Sequence, residues 1–114
     1  VRQIATGSNH VCVVLADGEA RCWGSGGFGS LGYNSTASVG IDETPAVYVA
    51  AHAPANIGGS VISLATGQSH TCGLLDTGAV RCWGRNDLGS LGYGNAEHIG
   101  DNEDPATAGN VTYK

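Results

Sequence analysis

Four cysteines fall in two pairs of equal spacing, Cys12 with Cys22 and Cys72 with Cys82, and a histidine stands two residues before each pair, at His10 and His70. Thiolate sulfur and imidazole nitrogen are zinc ligands, so a metal site is one chemistry these residues offer. Their spacing is not that of a known zinc finger. The competing chemistry is oxidation of each pair to a disulfide, which uses the same sulfurs. A third state is four buried free thiols. Oxygen ligands lie in Asp101, Asn102, Glu103 and Asp104, a run bounded by Gly100 and Pro105. Carboxylates and amides in such a loop suit calcium, a hard cation. The plainer account is a solvated loop ending at proline. A repeated Ser, His and Asp order or carboxylate pair, which a hydrolase reading needs, is not found in both copies.

A disulfide needs Cα atoms about 4.4–6.8 Å apart, so an element must bring residues ten positions apart side by side. A β-hairpin does this. Val11 to Leu15 is an apolar, β-branched run, and Glu19 to Trp23 reads as the returning strand. Ala16-Asp17-Gly18 between them fits a three-residue loop, a type I turn followed by a left-handed residue. Gly18 and Gly78 occupy that left-handed position. With this loop Leu15 faces Glu19, and Cys12 falls opposite Cys22. In the second hairpin Leu75 faces Ala79, and Cys72 falls opposite Cys82. Both pairs are non-hydrogen-bonded ones, where Cα atoms approach to about 4.5 Å. A two-residue loop would set Cys12 against Trp23 and Cys72 against Trp83. The two hairpins therefore agree on the disulfide reading and on an oxidising compartment.

The hairpins belong to a longer repeat. Aligning Ile4 to Ala46 on Leu64 to Ala106 gives twenty identities in forty-three positions with no gap, at an offset of sixty. A period of this length marks a repeat architecture. Val1 to Gly7 and Val61 to Gly67 read as strands entering a glycine turn. Ser25 to Tyr33 and Arg85 to Tyr93 read as compact turns anchored by Leu31 and Leu91. Their glycines lack the helix and lysine of a phosphate-binding loop, so close backbone packing is the better account. Val47, Tyr48 and Val49 suggest a short strand before a proline- and glycine-rich link. His52 and His98 have no counterparts and read as loop residues. Asn34-Ser35-Thr36 and Asn110-Val111-Thr112 are formal glycosylation sequons at Asn34 and Asn110.

Composition narrows the class. The chain has 114 residues, with 19 glycines, 3 prolines and a net charge of −5. Many turns and short strands follow, and no window shows sustained helical periodicity. Five scattered Lys and Arg argue against nucleic acid as a partner. No apolar run approaches the ~20 residues that span a bilayer. No signal peptide is visible, so a secretion signal would be removed or lie outside this stretch.

At these residues the chain resembles the regulator of chromosome condensation repeat family. The matching positions are Gly7, His10, Gly18, Trp23, Gly24, Gly29, Leu31 and Gly32 in the first copy. In the second they are Gly67, His70, Gly78, Trp83, Gly84, Asn86, Gly89, Leu91 and Gly92. The paired cysteines and the segment from Ile99 to Pro105 are similar to the secreted bacterial branch of that family. The first copy departs from the pattern, with Gly26 where asparagine is usual and Ile41 where an aspartate would stand. The resemblance implies a seven-bladed β-propeller of four-stranded blades. The family's best-known member exchanges nucleotide on a small GTPase and binds nucleosomes, an activity that depends on a complete propeller face and is not carried over.

The expected fold is therefore all-β: two tandem propeller-type blades, each a four-stranded antiparallel unit, incomplete as a propeller. The first repeat spans 1–60 and the second 61–114, with its last link truncated. His10, Trp23, His70 and Trp83 are expected to be structural, the histidines fixing the turn before each hairpin and the indoles packing the core. Two repeats leave outer faces and strand edges open. The expected function is a non-enzymatic, secreted or cell-surface structural protein without a cofactor, calcium apart. Its expected partners are copies of itself, or further repeats of the same family, stacked head to tail. Three or four copies would close a ring of six or eight blades, and other geometry gives a fibre. The runner-up is a fragment of a larger ligand-binding propeller, and the third reading is a GTPase regulator.

Overall fold

The computed structural model describes residues 1–113. Six strands form two sheets of the same design. In the first, β1 (Gln3–Thr6), β2 (His10–Val14) and β3 (Ala20–Gly24) lie in the order β1-β2-β3, all antiparallel. In the second, β4 (Val61–Thr66), β5 (His70–Leu75) and β6 (Val80–Gly84) repeat that order.

Turn chemistry sets each hairpin's register. Leu15 N–H donates to Glu19 O at 2.9 Å and Gly18 N–H to Leu15 O at 3.0 Å. Gly18 and Gly78 close the two loops at φ 85° and 88°, backbone that only glycine adopts without strain. Counting back along the strands, Cys12 lies opposite Cys22 and Cys72 opposite Cys82. Both pairs are disulfide-bonded, with Cα separations of 4.1 and 4.0 Å.

Two sequence expectations are corrected. The fourth strand of each blade is reduced to a single bridge, Gly24 to Val39 in the first repeat and Gly84 to Ile99 in the second. The cause is the next residue: Gly40 and Gly100 sit at φ 103° and 97° and turn the chain away after one pair. The expected strand at Val47 to Val49 is instead part of a helix, α1 (Pro45–His52). Thr44 Oγ1 caps it by accepting from Val47 N–H at 3.3 Å, and Pro45 stands at the first helical position. Ala50 and Ala51 then extend it, so the alternating valines lose to cap chemistry and alanine. In the second repeat the same start yields only a 3-10 turn, Pro105–Ala108, which ends at Gly109 with φ 73°.

One core serves both sheets. Val14, Leu31, Val39, Ile57, Val61, Leu64, Leu75, Trp83, Leu91 and Ile99 pack with the two disulfides in a continuous cluster. The link from Ile57 to Ser60 joins the hairpin loops, with Val61 N–H donating to Gly18 O and Asp76 N–H to Ser60 O, both at 2.9 Å. Arg81 holds this link, its Nη1 donating to Ile57 O at 2.7 Å. Each disulfide closes a short ring, so its contribution lies at the lower end of the usual range. Replacing Cys72 and Cys82 together by serine is expected to cost about 2–3 kcal/mol, read as a lower midpoint in urea denaturation.

Candidate functional site

The feature that bears on function is the surface where one repeat meets the next. It is built from backbone contact and two polar latches. Gly29 lies directly on Gly100 and Asp101: a Cβ on Gly29 would collide with the Gly100 carbonyl and the Asp101 nitrogen. Gly32, at φ 80°, receives the indole of Trp83, whose Nε1 would lie 2.9 Å from a Cβ there. Among the described residues that Nε1 is buried without a hydrogen-bond partner. Ser35 N–H crosses to Gly100 O at 3.0 Å.

The first latch runs through His10. Its Nε2 stands 2.9 Å from Thr71 Oγ1, and Thr71 donates onward to Ser30 O at 3.0 Å. Because the threonine proton is committed to Ser30, Nε2 must be the donor, which fixes the neutral tautomer with Nδ1 bare. Burial holds His10 below its ordinary value of 6.5, and the nearby His70 adds to the shift. The second latch is Gln3, whose amide pairs with the backbone of one residue, donating to Leu64 O and accepting from Leu64 N–H, each at 2.6 Å.

The same positions behave oppositely in the two copies. Leu64 is 4% exposed and its counterpart Ile4 65%. Val14 is fully buried and Leu74 is 37% exposed. Trp83 is buried and Trp23 half-buried, and Ser30 is buried while Ser90 is exposed. Gly29 and Gly32 are covered, whereas Gly89 and Gly92 are open. The chain thus carries two unmatched faces. One presents Ile4, Trp23, Gly40 and Ile41, and the other His70, Leu74, Leu88, Gly89 and Gly92. These are the two halves of the interface already formed inside the chain.

The other residues singled out by sequence fall as follows. The four cysteines are consumed in disulfides, and no free cysteine occurs among the described residues. His10 stands at the repeat interface; His70 lines the open face with Arg85, Asp87 and Leu88. In the acidic segment, Glu103 Oε1 accepts from Gly100 N–H at 2.7 Å and Asp101 Oδ1 from Asn102 N–H at 2.9 Å. Among the described residues no three His, Cys, Asp or Glu side chains converge as a metal site. Asn34 is exposed at φ 59°. Asn110 is exposed too, and its Oδ1 accepts from Arg81 Nε at 3.1 Å. His52 ends α1, stacked 4.2 Å from the Tyr48 ring, and His98 Nδ1 accepts from Asn86 N–H at 3.0 Å.

Sequence reasoning missed Thr71, Gln3 and the two tyrosines. Tyr33 Oη accepts from Cys22 N–H and donates to Cys22 O, both at 3.0 Å, sealing the free edge of β3. Tyr93 does the same for Cys82 N–H at 3.2 Å, donating to Gly109 O instead. Their sixty-residue offset was a readable signal. Thr71 carried none, because Val11 stands at the matching place.

Two outcomes follow. Gly89→Ala meets only Asn95 O, at an ordinary 4.0 Å, and so bears only the left-handed strain, about 1–2 kcal/mol. Gly29→Ala bears that strain and also pushes the repeats apart, so thermal denaturation should show a clearly larger loss. The second outcome concerns pH. Since the folded chain holds His10 below 6.5, the unfolded chain takes up the proton first. This contribution to stability is full above that value and is lost as pH falls through it. A His10→Gln variant should show a shallower loss of thermal midpoint between about pH 7.5 and 5 than the parent.

Comparison with known proteins places this architecture. The model of the regulator of chromosome condensation (RCC1) repeat matches residues 1–30 and 61–90. Protein RCC2 of Mus musculus is 34% identical over 97 residues, covering 83% of this chain and 17% of that protein. The E3 ubiquitin-protein ligase HERC2 of Homo sapiens is 32% identical over 89 residues, 78% of this chain and 2% of that protein. The crystal structure of Prp20p from Saccharomyces cerevisiae superposes on 98% of this chain with a TM-score of 0.69 at 19% identity, using 25% of its own chain. The chain therefore spans a small part of the proteins it resembles, and its sheets resemble blades of that larger fold. With the family model matching more than half of its residues at the sixty-residue offset, the chain belongs to the regulator of chromosome condensation (RCC1) repeat family.

Proposed function

We propose that this chain is a two-blade, non-enzymatic section of a larger protein-binding propeller, completed at both faces by further repeats of the same family. The observation that carries the reading is the opposite burial of equivalent residues, Ile4 against Leu64 and Val14 against Leu74. Each exposed member is apolar and matches a residue that its neighbour buries. Full burial of an exposed leucine or isoleucine is worth roughly 1.5–3 kcal/mol, of which Ile4, 65% exposed, forgoes the larger part and Leu74, 37% exposed, the smaller. The solved relative Prp20p is described by its binding to Gsp1p and histones, which supports a protein-binding role for completed propellers of this kind. The two disulfides support an oxidising compartment, and with it a secreted or cell-surface location.

A second reading, head-to-tail association of identical copies into a ring or filament, is favoured by one observation. Gly40 and Trp23 remain on the first face, opposite the Gly89 and Gly92 that would receive them. The polar latches are not kept. A copy docking on His70 would bring Val11 where Thr71 stands inside the chain, so the His70 ring would be buried without a hydroxyl partner. Ser63 in place of Gln3 is too short to reach both the N–H and the carbonyl of a facing residue. The geometry thus favours a neighbour with a hydroxyl at the Thr71 position over a second copy.

Light scattering on the chain and on Val11→Thr separates the two. The expected parent is a monomer of 11.5 kDa, and the variant gains affinity for itself by about tenfold, one net hydrogen bond. A stable assembly of three or four copies that Val11→Thr leaves unchanged would overturn the proposal in favour of self-assembly.

A further inference from the structure

The two repeats differ in one more respect, which concerns a cavity. Beside Tyr93 lies a cleft of about 280 Å³ whose walls include Tyr93, His98, Ile99, Thr107 and Ala108. A cavity of roughly 150 Å³ already admits benzene, so this open cleft, polar at Asn95, Glu97 and Glu103 and apolar at Ile99 and Ala108, has room for a six-membered ring with its substituent. Subtracting the repeat offset names the equivalent first-copy residues: Tyr33, Ser38, Val39, Val47 and Tyr48. There the seat is filled. Tyr48 is buried, and its ring centre lies 5.0 Å from that of Tyr33 with the planes inclined at 54°.

The occupant is missing from the second copy for a local reason. Helix α1 delivers Tyr48 from its first turn and continues to His52, whereas the matching turn stops at Ala108 before Gly109. Ala108 stands where Tyr48 stands, and among the described residues the cleft is lined by no ring besides those of its walls, Tyr93 and His98. The wall is preserved: Tyr93 is fixed through its hydroxyl to Cys82 N–H and Gly109 O, as Tyr33 is fixed to Cys22. The polar rim adds the Glu97 carboxylate, an acceptor for a phenolic O–H.

We propose that this cleft is a receptor for a tyrosine side chain carried by a partner polypeptide, which would take in the second repeat the place that Tyr48 takes in the first. A peptide-borne ring is the occupant because that is how the first copy fills the seat, from a short segment laid along the flank of its third strand. Tyr93 follows Gly92 in the chain and Asn95 O lies 4.0 Å from the Cβ position of Gly89, so the cleft borders the face on which a further repeat would dock.

The test uses the full chain and a defined probe. In nitrogen-15 NMR, N-acetyl-tyrosine amide should produce saturable shifts at Ile99, Thr107 and Ala108, with a dissociation constant in the millimolar range. The equivalent first-copy amides at Val39, Val47 and Tyr48 should not move, and N-acetyl-alanine amide should give no saturable change. Ala108→Tyr should fill the cleft, abolish the tyrosine response and raise the thermal midpoint. Ala108→Ser, which leaves the cleft open, should retain the response. Absence of saturable shifts up to about 20 mM, equal shifts with the alanine probe, or an intact response in Ala108→Tyr would each overturn the proposal.

Discussion

The arrangement depends on the approach of two backbones at Gly29 and Gly100. Neither position has room for a side chain, so the repeats meet peptide against peptide. This closeness sets everything around it. It lets the Trp83 indole reach Gly32, brings Thr71 under Ser30 and His10, and places Leu64 within reach of the Gln3 amide. Packing of that density tolerates little change in volume. It also accounts for a buried indole N–H with no partner: the ring is held for its size, at the expense of a polar group taken out of water.

The interface also explains why the chain is unbalanced. A blade has two faces, and a pair of blades satisfies only the inner two. The outer faces keep the same shape but different chemistry. The first keeps Trp23 and Gly40 but carries Ile41 where the second copy has Asp101, and Val11 where it has Thr71. The second keeps His70, Gly89 and Gly92 but has Ser63 in place of Gln3. Shape therefore repeats along the molecule while the hydrogen bonds are particular to each junction. This division lets a repeat protein stack many similar blades in one order, since a wrong neighbour buries a polar group without its partner.

Much of this was legible in the sequence. The hairpin loops, the cysteine register and the disulfides follow from the position of one glycine in each loop, a local constraint that no distant contact overrides. The repeat itself follows from identities at one offset. Three things did not follow. The fourth strand fails because Gly40 and Gly100 turn the backbone, and a glycine in a sequence does not announce the sign of its φ. The helix at Pro45 was read as strand because Val47 and Val49 alternate, while the Thr44 cap and the alanines decide the matter locally. The latches were out of reach of spacing arguments. His10 and Thr71 meet only through the stacking of whole blades, and Thr71 differs from its own repeat partner.

The central claim is that identical residues differ in environment only because one copy has a neighbour and the other lacks it. Trp23 and Trp83 test it most directly, since each follows a disulfide cysteine on the equivalent strand of its own hairpin. Fluorine NMR on the chain labelled with 5-fluorotryptophan gives one resonance for each indole, assigned with Trp23→Phe. The account predicts a large solvent-isotope shift for the Trp23 resonance and almost none for Trp83. Equal shifts for the two would contradict it, because the faces would then not differ in the way the fold requires.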